Sequence, residues 1–204
     1  MRVYSFPYSP SCRKVLLAMR HVHADAALVP IDLARGEQRS DAYLGVNPNG
    51  KVPALVDGEL VLWESNAICW YLADRFWPEG AGTSPQGRAD IARWLFYEAS
   101  ELGHFTSLVA LSHHQVSDAE QRAQIAAYAL PELLKRLDVI DGHLAPQAFL
   151  TGSLSIADLV VGASAELALR VAEPEAVHYH LRAWLHRLAL LPAWDPVAPA
   201  SAVA

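Results

Sequence analysis

The chain has 204 residues, 52% of them hydrophobic and 19% charged, with a net charge of -6 at pH 7. Such a composition gives an ordinary globular protein with ample core material, and the acidic balance argues against a nucleic-acid surface, because phosphate binding needs clustered Lys and Arg and none cluster here; lysine occurs only at Lys14, Lys51 and Lys135. No apolar run is long enough to span a bilayer, the start Met1-Arg2-Val3-Tyr4 lacks a signal-peptide pattern, and Cys12 and Cys69 are too few for a disulfide framework, so a cytoplasmic location is expected.

In chain order, Arg2 to Phe6 alternates like a strand and ends in the turn cluster Pro7-Tyr8-Ser9-Pro10-Ser11. Cys12 to His21 carries Val15, Leu16 and Met19 at helical spacing, with proline in the first turn, and Ala27 to Leu33 reads as the next strand. Strand, helix and strand within about 30 residues make a βαβ unit with parallel strands. After a polar stretch over 34–41 and a helical turn near 42–46 comes Asn47-Pro48-Asn49-Gly50-Lys51-Val52-Pro53-Ala54-Leu55. Asn-Pro and Asn-Gly mark a turn, and Pro53 stands at the entry of a strand, where it leaves the backbone of Val52 turned outward. An extended ligand can add there like one more strand; an ordinary loop and edge strand is the simpler reading of these nine residues alone.

Pro53 to Val56 and Glu59 to Leu62 are expected to form a hairpin about Asp57-Gly58. Glu64-Ser65-Asn66 then offers capping side chains to an amphipathic helix over 67–76. The order β-α-β, β-β-α predicts a four-stranded mixed sheet of thioredoxin-like type over 1–76. A composition break over 77–87, with Pro78, Gly80, Gly82, Pro85 and Gly87, predicts a linker. Beyond it, 88–204 reads as an all-helical domain: long helices over 88–114 and 118–144, the second holding Pro131, a capping-box form at Ser155-Ile156-Ala157-Asp158 before an apolar helix to Val171, and a last helix near 180–190. The Pro/Ala tail after Trp194 is expected to fray.

Over nearly its whole length the sequence resembles the cytosolic glutathione S-transferases, through Ser9-Pro10-Ser11-Cys12-Arg13-Lys14-Val15, 47–55, Glu64-Ser65-Asn66-Ala67-Ile68 and Ser155 to Asp158. The likeness is to bacterial, serine-dependent members of theta- or nu-like kind, since no tyrosine takes the place of Ser9. The resemblance implies that glutathione thiolate is conjugated to a small hydrophobic electrophile, with glutathione as co-substrate, no metal or other cofactor, and a homodimer. It also implies a cis Val52-Pro53 bond, with the Val52 amide and carbonyl pairing to the cysteinyl unit. Glu64 and Ser65 would then hold the γ-glutamyl end, and Lys51 with Gln38, or Arg39 after a one-residue shift, would reach the glycyl carboxylate.

Ser9 is the expected catalytic group. A free thiol titrates near ~8.5, so only a few per cent is thiolate at pH 7. A hydroxyl donating to sulfur at the start of a helix favours the thiolate without taking its proton, and a thousandfold shift corresponds to about 4 kcal/mol. Ser11 is expected to cap the helix, and Cys12 is the competing candidate through a mixed disulfide, although a cysteine before Val15 and Leu16 more often packs as a small apolar group.

An electrophile pocket is expected between the domains, lined by Tyr8, Trp94, Tyr97, His104, Leu108 and Leu111, with core packing as the competing role for the tryptophan and leucines. His113-His114 and His178-x-His180 have superficial metal spacing but read as exposed histidines. Other activities compatible with the pattern are a glutathione-dependent disulfide reductase or peroxidase using the same site, and a non-catalytic binding or scaffold protein.

Overall fold

The computed structural model describes residues 1–114, 116–172 and 178–194, apart from the side chains of residues 111, 113 and 114; the tail after Trp194 lies outside the described residues. Two compact units emerge. One is Met1–Ala81 together with residues 192–194, and the other is Gly82–Leu191.

In the first unit, β1 (Arg2–Ser5), α1 (Pro10–His21) and β2 (Ala27–Pro30) are followed by a 3-10 turn at Glu37–Arg39 and the short α2 (Asp41–Leu44). The hairpin β3 (Ala54–Asp57) and β4 (Leu60–Trp63) comes next, then α3 (Ser65–Phe76) and the four-residue α4 (Pro78–Ala81). The strand order is β2-β1-β3-β4, with β1 and β2 parallel and the other pairs antiparallel. This is the thioredoxin-like mixed sheet. Both α1 and α3 bury apolar faces, with Val15, Leu17, Ala18, Ile68, Cys69 and Leu72 all shielded from solvent.

Some boundaries differ from those that the sequence pattern suggests, each for a local reason. The hairpin turns on Gly58-Glu59, since Asp57 pairs with Leu60, and Gly58 supplies the φ of +60° that the turn needs. Leu16 is only half-buried while Leu17 and Ala18 face the core, so the helix presents a neighbouring stripe. The stretch 77–87 contains α4 and the first turn of α5 (Pro85–Tyr97), and the boundary between the two units falls within it, at Ala81/Gly82. Trp77 fixes this region, because its ring occupies the space where any side chain at Gly80 would stand, and it packs on His21 at 4.5 Å between ring centroids.

The second unit holds α5 (Pro85–Tyr97), a π-helical turn at Glu98–Leu102, α6 (Gly103–His114), α7 (Ala119–Leu144), α8 (Ile156–Val171) and α9 (Tyr179–Ala189). The single helix expected over 88–114 is thus interrupted. Glu98 is buried and accepts the Ser164 hydroxyl at 2.5 Å, and Gly103 leaves room for the Glu98 carbonyl, which a Cβ there would meet at 2.9 Å. A wide turn of this kind is invisible to a periodicity of 3.6 residues. On α7, Leu133, Leu137, Ile140 and Leu144 form the buried stripe, and α8 is enclosed on nearly all sides from Ile156 to Ala165.

The expected capping box at the start of α8 is present, and Asp158 extends it into a hub. Its carboxylate accepts the Leu150 and Ser155 N–H groups, both at 2.9 Å, the Ser155 hydroxyl at 3.1 Å and the Trp184 indole N–H at 3.0 Å. Burial pushes the Asp158 carboxyl up, and these donors oppose that shift. One buried acid therefore ties the turn before α8 to α9.

Candidate active site

Sheet register decides where the candidate residues of the first unit meet. Tyr4 on β1 lies opposite Ala54 on β3, which lies opposite Trp63 on β4. Hence the exit from β1, the entry to β3 and the exit from β4 share one end of the sheet. Those three chain segments carry Ser9, Val52-Pro53 and Glu64-Ser65. The Ile31 N–H bonds to the Ser5 carbonyl at 2.9 Å, which brings the loop after β2, with Gln38, to the same end.

Ser9 is the N-cap of α1. Proline at position 10 fixes the first helical residue and disfavours helical geometry for the residue before it, so Ser9 sits extended at φ -78° and ψ 122°. Its Oγ accepts the Cys12 N–H at 3.3 Å. Ser11, expected to be the cap, lies inside the first turn instead. Because an accepting hydroxyl keeps its own hydrogen, Ser9 retains a donor at the positive end of α1. Cys12 is 1% exposed, and its sulfur accepts the Phe6 N–H at 3.4 Å.

The loop before β3 is held from inside. The Lys51 carbonyl accepts both the Tyr43 hydroxyl at 2.7 Å and the Asn47 side-chain amide at 2.6 Å. Asn47 is buried and also accepts the Asn49 N–H at 3.0 Å, closing the turn. Burial pushes the Tyr43 hydroxyl up to about 12. With Lys51 so fixed, the Val52 side chain packs toward Ile31, Tyr43 and Ala54, and among the described residues no hydrogen bond engages the Val52 backbone. The Val52-Pro53 bond is cis. The Lys51 side chain itself is exposed.

Gly50 brings the neighbouring loop close. At φ +59°, it lies where a Cβ would stand 3.0 Å from the Gln38 carbonyl, so the turn and the 3-10 segment approach backbone to backbone. The Gln38 amide N–H donates to the Leu33 carbonyl at 3.4 Å, and its buried Oε1 has no partner. Arg39, the alternative to Gln38, is exposed.

At the start of α3, Glu64 adopts φ +72° and ψ 111°, a left-handed conformation strained for any residue with a Cβ. Ser65 is the first helical residue and is buried. Glu64 is the N-cap, and its side chain makes no cap hydrogen bond, contrary to the capping expected there. A strained residue leading into a helix start that its side chain does not cap is suited to an anionic ligand, whose oxygens can take the place of a cap.

The residues expected around an electrophile occupy varied settings. Tyr8 is 46% exposed and stands edge-on to Phe6 at 5.5 Å. In the second unit Trp94 is 4% exposed, packed on Tyr97 and His143. The Tyr97 hydroxyl donates to the Arg136 carbonyl at 3.0 Å. Both rings therefore serve the interior of that unit. His104 is exposed and Leu108 half-buried, while the side chain of Leu111 lies outside the described residues, as do those of His113 and His114. His178 departs from its expected exposure, being buried with Nε2 2.9 Å from an Asp138 oxygen. Among the described residues, no group of three or more His, Cys, Asp and Glu could hold a metal ion.

Asn47, Tyr43 and Gly50 support the site without having been singled out for that role by sequence. Their legible trace was the turn dipeptides flanking Lys51; Tyr43 left none, because its partner is a carbonyl eight residues away.

Comparison with known proteins places this arrangement among relatives. Residues 1–74 match the glutathione S-transferase N-terminal domain and residues 94–192 the C-terminal domain. Glutathione S-transferase 3 of Zea mays is 31% identical over 98% of this chain and 94% of its own length. Glutathione S-transferase 4 of the same plant is 32% identical, over 97% and 92%. Among solved structures, the theta-class glutathione S-transferase from Xanthomonas axonopodis pv. citri with glutathione bound is 28% identical, with a TM-score of 0.88 over 97% of this chain and 98% of that one.

Proposed function

Because this chain belongs to the glutathione S-transferase family and is a glutathione transferase, we propose that it directs glutathione thiolate at a small hydrophobic electrophile, with the Ser9 hydroxyl donating to the sulfur. The observation that carries this reading is the Ser9 cap. Its oxygen is occupied by the Cys12 N–H, so the hydroxyl hydrogen remains for a sulfur placed at the end of the sheet. The thiol proton leaves to solvent, the sulfur forms a bond to carbon, and the leaving group departs with its electron pair. Serine neither takes the proton nor becomes covalently linked.

The unpaired Val52 backbone would receive the cysteinyl unit of glutathione as an added strand, which sets the register of the sulfur relative to Ser9. Glu64 and Ser65 would hold the γ-glutamyl ammonium and carboxylate, and Gln38 and Lys51 the glycyl end. Tyr8, exposed beside Phe6, is the residue of the first unit that we assign to the electrophile. We also assign a homodimer to the protein. Its support is the outermost strand β4, which leaves Leu60, Val61 and Trp63 exposed, a surface that a second copy would cover. A cytoplasmic location accords with two buried cysteines, Cys12 and Cys69, that are not joined in a disulfide.

Calorimetry with glutathione, followed by assays with an aryl halide and with a glutathione mixed disulfide, tests the proposal. Binding in the millimolar range or tighter and conjugation lost in Ser9→Ala are expected. Full conjugation in Ser9→Ala, with turnover abolished in Cys12→Ala, would transfer the chemistry to the thiol and overturn the assignment.

A further inference from the structure

The peptide unit that joins Lys51 to Val52 is gripped at its oxygen. The Lys51 carbonyl accepts the Tyr43 hydroxyl at 2.7 Å and the Asn47 side-chain amide at 2.6 Å. A carbonyl oxygen has two lone pairs, so both are taken. The unit is planar and trans, and its C=O and N–H therefore point in opposite directions. Drawing the Lys51 oxygen toward two buried donors turns the Val52 N–H away from them, to the side where, among the described residues, no hydrogen bond engages it. The two donors differ in what they stand on. Asn47 belongs to the turn itself, and its side-chain oxygen accepts the Asn49 N–H at 3.0 Å and the Asn49 amide at 3.3 Å. Tyr43 comes from α2, is 3% exposed, and sets its ring edge-on to Tyr4 of β1 at 5.7 Å between centroids. It also packs with Ile31 and Ala54. Asn47 thus holds the turn to itself, whereas Tyr43 refers the Lys51-Val52 peptide to β1, the strand that leads to Ser9. Burial pushes the Tyr43 hydroxyl up to about 12, so it stays a donor over the range in which a thiol titrates.

We propose that Tyr43 is a positioning residue for the conjugation reaction: its hydroxyl, through the Lys51 carbonyl, aims the Val52 N–H and so sets where the ligand sulfur lies relative to Ser9. The inference rests on the reading of Val52 as the edge that receives the cysteinyl unit. Tyr43 acts only through Lys51 and is assigned no contact with the sulfur. A hydroxyl that served folding alone would lower stability when removed and leave the ionisation of a bound thiol where it was.

The test uses the full chain and Tyr43→Phe, which keeps the ring and its packing and removes one donor, while Asn47 still holds the carbonyl. Tyr97→Phe is the control, since it also loses a hydroxyl that donates to a backbone carbonyl, that of Arg136 at 3.0 Å, in the interior of the second unit. Both variants are expected to lose a comparable amount of stability in urea. By calorimetry, Tyr43→Phe is expected to bind glutathione about fivefold more weakly. By thiolate absorbance, its bound thiol is expected to titrate about half a unit or more above that of the unaltered protein. Tyr97→Phe should bind glutathione and titrate like the unaltered protein. A bound thiol that titrates in Tyr43→Phe as it does in the unaltered protein overturns the proposal, and so does an equal shift in Tyr97→Phe. Should Tyr43→Phe not fold, amide exchange in the unaltered protein decides: the Val52 N–H exchanges freely without glutathione and is protected with it. Protection of that amide in the free protein, or none on binding, overturns the proposal. Failure of the unaltered protein to bind glutathione, or a bound thiol titrating there at the free value, would instead overturn the functional reading beneath it.

Discussion

Ser9 carries two duties, and they can be separated by substitution. Ser9→Ala removes the cap and the donor together, so it should cost about 1 kcal/mol of stability and reduce kcat/KM for conjugation by about a hundredfold or more, the loss expected when one donor to developing charge is removed. Ser9→Asp restores a cap but offers sulfur no hydrogen. Unfolding in urea should show its stability near that of the unaltered protein while conjugation stays low; recovery of rate with the cap would show that helix geometry, rather than the hydroxyl, governs the chemistry. Tyr43 is a second residue with a measurable signature. Burial pushes its hydroxyl up to about 12, and burial does the same to Tyr97. An unfolded tyrosine ionises near pH 10, so between about pH 10 and 12 the folded chain holds protons that the unfolded chain has released. The stability these neutral hydroxyls contribute is complete below pH 10 and is lost as pH rises through that window. Urea midpoints should fall there by less in the Tyr43→Phe, Tyr97→Phe double variant than in the unaltered chain; parallel declines would contradict the assignment.

Among the elements, α8 and the helix interrupted at Glu98 show what sequence conveys and what it does not. The capping box at Ser155 was legible because its residues are three apart and bond to one another. The reach of Asp158 to Leu150 and Trp184 was not, since nothing in local spacing says which distant N–H groups a buried carboxylate will receive. Asp158→Ala strands those donors in the interior and should cost about 3 to 5 kcal/mol by urea unfolding; a cost under about 1 kcal/mol would mean that solvent or rearrangement satisfies them. The π-helical turn was likewise hidden, because the apolar spacing continues through it. Gly103→Ala places a methyl 2.9 Å from the Glu98 carbonyl and should destabilise by about 1 to 3 kcal/mol. An unchanged midpoint would show that the turn tightens to ordinary helix without penalty. At α1 the sequence pointed to the right end but the wrong serine, and Pro10 explains why: its constraint on the preceding residue makes Ser9 the cap.

At the scale of the whole molecule, strand order and register do the assembling. Four segments far apart in sequence reach one end of the sheet because β1, β3 and β4 align at Tyr4, Ala54 and Trp63, an arrangement implied by the β-α-β, β-β-α order and the turn residues. That is why the meeting at one end of the sheet of the segments we propose for the glutathione half of the site was recoverable from sequence. The electrophile half was less so: tryptophan and leucine at helical spacing describe a core face as well as a pocket, and Trp94 proves to be core. The most direct measurement is the pH dependence of thiolate formation in bound glutathione, followed by thiolate ultraviolet absorbance in the unaltered protein and in Ser9→Ala. The account expects a bound thiol titrating at least one unit below the free value of about 8.5, and a return toward that value in Ser9→Ala with glutathione still bound. A bound thiol that titrates identically in both proteins would contradict it.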